Sequence, residues 1–372
     1  MATVDEADAP MISCYLDLSR GAAVCRNEME SRFQTLKKSL PAAASDKFGE
    51  AARGIEAFVA GAISSHTLGL AIFSRAGEKP FWLPMEFDVP LPTWIAVGPT
   101  PNIYHLVELK DNYDRYVILL TTETSARIIG VNLGSVTEQL WRSRPELRRR
   151  VGHEWTKEHF QDHRQERTRQ FIHDQIRSLE QVISAGGYGH LILAGSARMI
   201  AAVRKELPKR LVEKLVDSVP AGPTDRVSDI VASTLETFLE HEEMDSQALA
   251  EKLITQIRTH GLAVAGTHAT MEALTAGQAD YLVVAKSYAP GYGWQCRNCG
   301  KAELELPSPN TCPDCNGAGI RNFDIREEFV RIAEQQQIGV EVVEYSDVLM
   351  ALGGVGCLLR YLAPANYLFP AA

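Results

Sequence analysis

The chain has 372 residues and a mass of 41.1 kDa, room for two or three domains at about 100–200 residues each. Apolar residues make up 45% and charged residues 23%, a globular balance that excludes disorder of the whole chain. A net charge of −9 and a pI near 5.6 exclude a uniformly basic nucleic-acid coat, while leaving room for a local basic patch. No apolar run approaches the ~18–20 residues that span a bilayer, so no membrane partner is expected. Met1 to Pro10 carries Asp5, Glu6 and Asp8 and lacks the basic and apolar regions of a secretory signal, which implies a cytoplasmic location.

Residues 1–10 read as a loose tail. Ile12 to Leu18 alternates like a strand, and Met29, Phe33, Leu36 and Leu40 have helical spacing. Phe48, Ala52, Ile55 and Val59 repeat that spacing over residues 47–60. Leu68–Phe73 and Phe81–Leu83 read as strands. The stretch from Pro84 to Pro101 holds five prolines, which predicts edge or loop. A second unit opens with three strand-like runs, Tyr116–Leu120, Ser125–Val131 and Ser135–Trp141. A charged segment and a long helix follow, the helix with Ile172, Ile176, Leu179 and Ile183 on one face and Gly186-Gly187 at its end. His190–Ala194 reads as a buried strand, followed by helices over 197–217 and 227–241. A third unit starts near Ser246. It alternates helix and strand through Leu262–Gly266, 268–276, Tyr281–Ala285, 325–337 and Val340–Glu344, then ends on a last helix and strand. The expected division is 1–112, 113–245 and 246–372, a multidomain α/β chain.

Seven cysteines occur, and four of them form C-x2-C-x12-C-x2-C at Cys296, Cys299, Cys312 and Cys315. Two residues between cysteines put both sulfurs on one side of a tight knuckle. Four thiolates make a closed tetrahedral shell at ~2.3 Å, with no position left for a substrate. The cluster therefore predicts a structural zinc ion in an insertion over 294–319; a rubredoxin-like iron site has similar ligands, but zinc is the commoner occupant. Cys14, Cys25 and Cys357 read as small core residues.

Residues 142–169 carry nine cations against five carboxylates, so this segment is +4 in a chain of −9. Three of the ten histidines, His153, His159 and His163, also lie here, and His173 follows just beyond. Arginine forks suit phosphate, and Trp155 or Phe160 offers a ring for stacking. A solvated helix face laced with i,i+4 pairs is the plainer reading of the charges alone. The asymmetry against an acidic remainder shifts the balance toward RNA contact. Lys157 breaks any H-E-x-x-H pattern after His153-Glu154, and Gly186-Gly-Tyr-Gly189 follows a helix rather than a strand.

In the third unit, Val264-Ala-Gly266-Thr-His-Ala-Thr270-Met-Glu-Ala-Leu274-Thr-Ala-Gly277-Gln-Ala-Asp280-Tyr-Leu282 resembles the C-terminal domain of archaeal and eukaryotic class I peptide-chain release factors and Pelota. Val340–Ser346 and Leu352-Gly-Gly-Val-Gly-Cys-Leu-Leu-Arg360-Tyr361 resemble its ending. The match covers about residues 246–361, is weaker over the middle unit and thin over 1–110; a bacterial branch of the superfamily is the best fit. The resemblance implies a degenerate N-terminal α/β domain, a ribonuclease-H-like middle domain and an L7Ae-like αβα C-terminal domain. In such factors a Gly-Gly-Gln loop before the long middle-domain helix helps water attack the peptidyl-tRNA ester. This chain has no Gly-Gly-Gln; His153, Glu154 and Trp155 stand where it would be.

The resemblance thus implies a ribosome- and tRNA-associated factor acting in rescue, recycling or stalling, without standard peptide release and without DNA as partner. Arg144, Arg148, Arg149, Arg150, Arg164 and Arg167 are the expected RNA contacts. A second reading is a peptidyl-tRNA hydrolase or tRNA nuclease, with His153, Glu154, His159 and His163 as acid–base groups and Trp155 beside them. A third is a protein-binding module, since the family's C-terminal domain docks partner GTPases.

Overall fold

The computed structural model describes residues 1–7, 9–61, 63–77, 79–143, 157–304 and 309–361. They form two compact units: Met1–Asn112 together with Glu243–Ala372, and Tyr113–Glu242.

In the first unit, strand β1 (Met11–Asp17) is followed by helices α1 (Ala22–Ser39) and α2 (Ala42–Ala60). Strands β2 (Gly69–Arg75), β3 (Phe81–Phe87) and β4 (Trp94–Gly98) complete an antiparallel sheet of order β3-β2-β1-β4. Ile12, Cys14 and Leu16 face one side, where Met29 and Phe33 of α1 and Phe48, Ile55 and Val59 of α2 cover them. Ser13 and Tyr15 face the other side, toward α3 (Tyr104–Asn112) and the residues before it. There the Ser13 hydroxyl accepts the Asn102 N–H at 2.8 Å, and the Tyr15 and His105 rings meet edge to face at 5.2 Å. Helices on both faces explain why β1 is buried from Met11 to Leu16 rather than alternately.

The same unit contains a second sheet, β10-β16-β11-β15, built from β10 (Ala263–Ala265), β11 (Ala279–Ala285), β15 (Gly339–Val343) and β16 (Val355–Leu359). Only β11 and β15 run parallel. Helices α8 (Thr267–Thr275), α9 (Ile325–Gln335) and α10 (Asp347–Ala351) accompany it. Ala250 and Leu253, from the end of α7 (Val227–Arg258), join its core. So do Ile103, Tyr104 and Val107 around the start of α3. The Glu327 carboxylate of α9 caps α3: it accepts the Ile103 N–H at 2.8 and 2.9 Å and the Tyr104 N–H at 3.0 Å. Asp111, near the end of α3, accepts the Val342 N–H at 2.7 Å and so covers part of the otherwise open edge of β15.

The second unit is a five-stranded sheet of order β7-β6-β5-β8-β9. Its strands are β5 (Tyr116–Thr121), β6 (Ser125–Asn132), β7 (Ser135–Ser143), β8 (His190–Gly195) and β9 (Leu215–Pro220). Strands β5, β8 and β9 are parallel; β6 is antiparallel to both β5 and β7, so it alone runs against the rest of the sheet. Val117, Leu119, Leu191 and Leu193 point to helices α4 (Lys157–Gly186), α5 (Ala197–Glu206) and α6 (Lys209–Val212). Tyr116, Ile118, Leu120 and Ile192 point to the opposite face, where Ile230, Val231 and Phe238 of α7 cover them. Both faces are covered, so these strands read as unbroken apolar runs.

Three expectations change. Residues 1–10 are not loose where described: Met1 and Ala2 pack against the core, and the Ala2 carbonyl accepts from Gln335 Nε2 at 2.7 Å. Glu6 pairs with Arg297 at 3.1 Å and with Arg321. The proline-rich stretch is edge as expected: β4, flanked by Pro90, Pro92 and Pro99, and β3, which holds Pro84, are the two outer strands of their sheet. The helix expected over 197–217 ends early, since Pro208 stops α5 and Leu215–Pro220 adds to the sheet beside β8. The helix expected over 227–241 and the one carrying Leu249, Leu253 and Ile257 are a single helix, α7.

Candidate metal centre and basic face

The four-cysteine cluster rests on a small sheet of order β13-β12-β14, formed by β12 (Tyr292–Cys296), β13 (Ala302–Glu303) and β14 (Ile320–Asp324). Cys296 ends β12. The chain turns so that Gly300 N–H reaches the Cys296 carbonyl at 2.9 Å, and Gly300 takes φ +79°, where a side chain is strained. The second knuckle closes in the same way: Asn316 N–H donates to the Cys312 carbonyl, and Cys312 N–H donates to the Gly317 carbonyl, both at 2.9 Å. Beneath them Trp294, 2% exposed, packs with Cys296, Cys312, Cys315 and Ile320.

All four sulfurs lie within 4.8 Å of one another, with Cys296–Cys315 at 3.6 Å and Cys299–Cys312 at 3.5 Å. A tetrahedron with metal–sulfur bonds of about 2.3 Å has edges of about 3.8 Å, so the donor set and its spacing fit zinc. The thiols are also electrostatically divided. The Asn298 side-chain amide, 3.4 Å from Cys315 Sγ, and the Gly317 N–H pull Cys315 down to about 6. At Cys299 the Lys301 N–H pulls the same way, but the Cys312 thiol and burial outweigh it and push the group up to about 12. One sulfur that ionises readily beside three neighbours is a cluster that attracts a cation. Lys301 binds Asp314 at 2.8 Å across the loop, and four cysteine sulfurs supply a full tetrahedral donor set, which is the composition of a structural site.

The expected RNA contacts divide by position. Arg144, Arg148, Arg149 and Arg150 lie outside the described residues, as do His153, Glu154 and Trp155. Arg164 belongs to α4 by its backbone, and Arg167 is exposed on the same helix. Arg169 and His173, farther along α4, reach Glu206 of α5 at 3.4 and 3.3 Å. Arg210 of α6 grips Glu180 of α4 through its Nε at 2.9 Å and Nη2 at 2.5 Å. Sequence periodicity missed the cations of α5 and α6 as part of this face. Arg198, Arg204, Lys205 and Lys209 stand 29, 35, 36 and 40 residues beyond the end of the 142–169 segment and come beside α4 only through the fold. One further buried pair looks catalytic but is enclosed: His105 Nδ1 lies 2.8 Å from Glu108, with the Tyr15, Trp94 and Tyr104 rings around the imidazole. Burial works against the Glu108 carboxylate, but His105 and Lys286 hold it below its usual value. With His105 only 8% exposed, this pair ties α3 into the unit rather than serving a substrate.

Residues 101–239 match the model of bacterial archaeo-eukaryotic release factor family 10, so this stretch is related to that family. No curated protein matches the chain. Among solved structures, an archaeal translation termination factor is similar at 15% identity over 96% of this chain and 94% of its own, with a TM-score of 0.26. The C-terminal domain of a peptide chain release factor from Methanosarcina mazei is 21% identical over 38% of this chain and 98% of its own, with a TM-score of 0.30. Pelota from Archaeoglobus fulgidus is 13% identical over 81% of this chain and 87% of its own, with a TM-score of 0.34. Among the described residues, no helix is long and apolar enough to cross a membrane.

Proposed function

We propose that the chain is a ribosome- and tRNA-associated translation factor of the release-factor and Pelota superfamily, acting in rescue, recycling or stalling. The observation that carries the reading is the family match over 101–239, which takes in most of the second unit. In this reading the second unit is the ribonuclease-H-like middle domain and the C-terminal sheet is L7Ae-like, with the zinc knuckles inserted between β11 and α9. The segment holding Arg144, Arg148, Arg149 and Arg150, which precedes α4 in sequence, supplies the RNA contacts. No Gly-Gly-Gln triplet occurs in the sequence. The flexible glycines and the side-chain amide that would position water at the ester are therefore missing, and standard peptide release is not part of the role.

The test is co-sedimentation with ribosomes across a salt series. Wild type should pellet with ribosomes, and the affinity should fall with log salt, because each phosphate neutralised releases counterions. R148A/R149A/R150A should flatten that slope. A wild-type chain that stays in the supernatant at low salt refutes the reading.

A further inference from the structure

The two faces of the five-stranded sheet in Tyr113–Glu242 carry opposite charge. Between Ala197 and Lys214, on the side of α5 and α6, six cations stand against two carboxylates, Glu206 and Glu213. On the other side, residues 227–242 of α7 hold Asp229, Glu236, Glu240 and Glu242 and no lysine or arginine. The strands decide this segregation: alternate residues of β5 and β8 feed the two apolar layers, so each helix is committed to one side.

The cations of α5 and α6 are not equally available. Arg210 is committed to Glu180 through two nitrogens, and Lys214 Nζ donates to the Tyr188 and Gly189 carbonyls at 3.1 and 3.3 Å. Arg204 and Lys205 are exposed and make no ion pair among the described residues. The remaining two are held only by weak surface pairs. Arg198 lies 3.6 Å from Glu123 with its side chain 83% exposed, and Lys209 lies 3.9 Å from Glu213 with 93% exposed. Such pairs exchange readily for a better anion.

We propose that Arg198, Arg204, Lys205 and Lys209 form a second RNA-phosphate contact, on the face of α5 and α6, distinct from the basic segment before α4. The proposal rests on the translation-factor reading for its choice of RNA, and on charge complementarity for the surface. An arginine and a lysine without an ion pair among the described residues, beside two exchangeable cations, suit a run of phosphates, which a fork and a point charge can follow without reading bases. The acidic α7 face repels the same polyanion, so binding is oriented: α5 and α6 turn toward RNA and α7 away from it.

The probe is fluorescein-labelled deacylated tRNA, titrated with the full chain over a salt series. R204E/K205E/K209E alters only exposed side chains, and its far-UV circular dichroism should match wild type. It should weaken binding at least about tenfold near 0.1 M salt and reduce the slope of log affinity against log salt by roughly two to three. E236K/E240K, on the opposite face, should not weaken binding. Loss of binding in E236K/E240K equal to that of the triple variant would show a diffuse charge effect and overturn the proposal. Competition by polyglutamate as strong, per charge, as by unlabelled tRNA would assign the face to acidic proteins and also overturn it. A wild type that pellets with ribosomes while the triple variant keeps its tRNA affinity and slope overturns this inference and leaves the translation-factor reading standing. A wild type that neither pellets nor binds tRNA overturns both.

Discussion

Replacing Glu327 with glutamine should remove a pH dependence that wild type carries. The Glu327 carboxyl is only 8% exposed and serves as the cap of a helix more than two hundred residues away in sequence. Burial pushes it up from 4.5 to about 8, against the Ile103 and Tyr104 N–H groups that pull it down. Between those values the folded chain holds a proton that the unfolded chain has lost. The folded state binds more protons, so stability is fully present below about pH 4.5 and falls as pH rises through about 8. The slope for one group is about 1.4 kcal/mol per pH unit, so wild type should lose on the order of 2 kcal/mol between pH 6 and pH 8. Glutamine keeps an oxygen for the two N–H donors and carries no charge. E327Q should therefore lose less stability than wild type over that interval. E327A should be worse than both at every pH, because two buried N–H groups lose their acceptor at about 1–3 kcal/mol each. Urea unfolding followed by tryptophan fluorescence at pH 6, 7, 8 and 9 measures all three. Wild type and E327Q curves that stay parallel within about 0.5 kcal/mol over the series would refute the assignment of a raised buried carboxyl.

Metal analysis of the purified chain should find one zinc ion per molecule, and C312S should lose it. That variant should loosen the insertion, with a red shift of Trp294 emission, while the second unit stays folded, because a knuckle closes only its own loop. G195A should destabilise the second unit by more than about 2 kcal/mol, read from its thermal unfolding. Gly195 takes φ +151°, and a Cβ there would stand 2.3 Å from the Thr121 carbonyl oxygen, on the neighbouring strand β5, which cannot yield.

The zinc site was the most legible feature, since its ligands come in two local pairs whose spacing alone constrains the sulfurs. Elements with a strong local period were legible as well: β1, α1, α2, β5, β6, α4 and β8 appear near their expected places. Where expectation missed, the deciding interaction lay far away in sequence. The sequence offers Asn102 as a cap for α3, but its Oδ1 makes no hydrogen bond among the described residues; the cap is Glu327, brought up by α9. Strand β9 is short and polar-interrupted, and it is a strand because β8 offers it a parallel edge. The acidic N-terminal residues read as a tail until Arg297, inside the first zinc knuckle, and Arg321, just after the second, meet Glu6. The basic face followed the same rule. Composition located the cations around 142–169, but local sequence cannot say which helices lie side by side. Only packing on a common sheet face sets Arg198, Arg204, Lys205 and Lys209 beside α4 and puts the acids of α7 behind them, because the two-residue period of the strands sends alternate side chains into different layers.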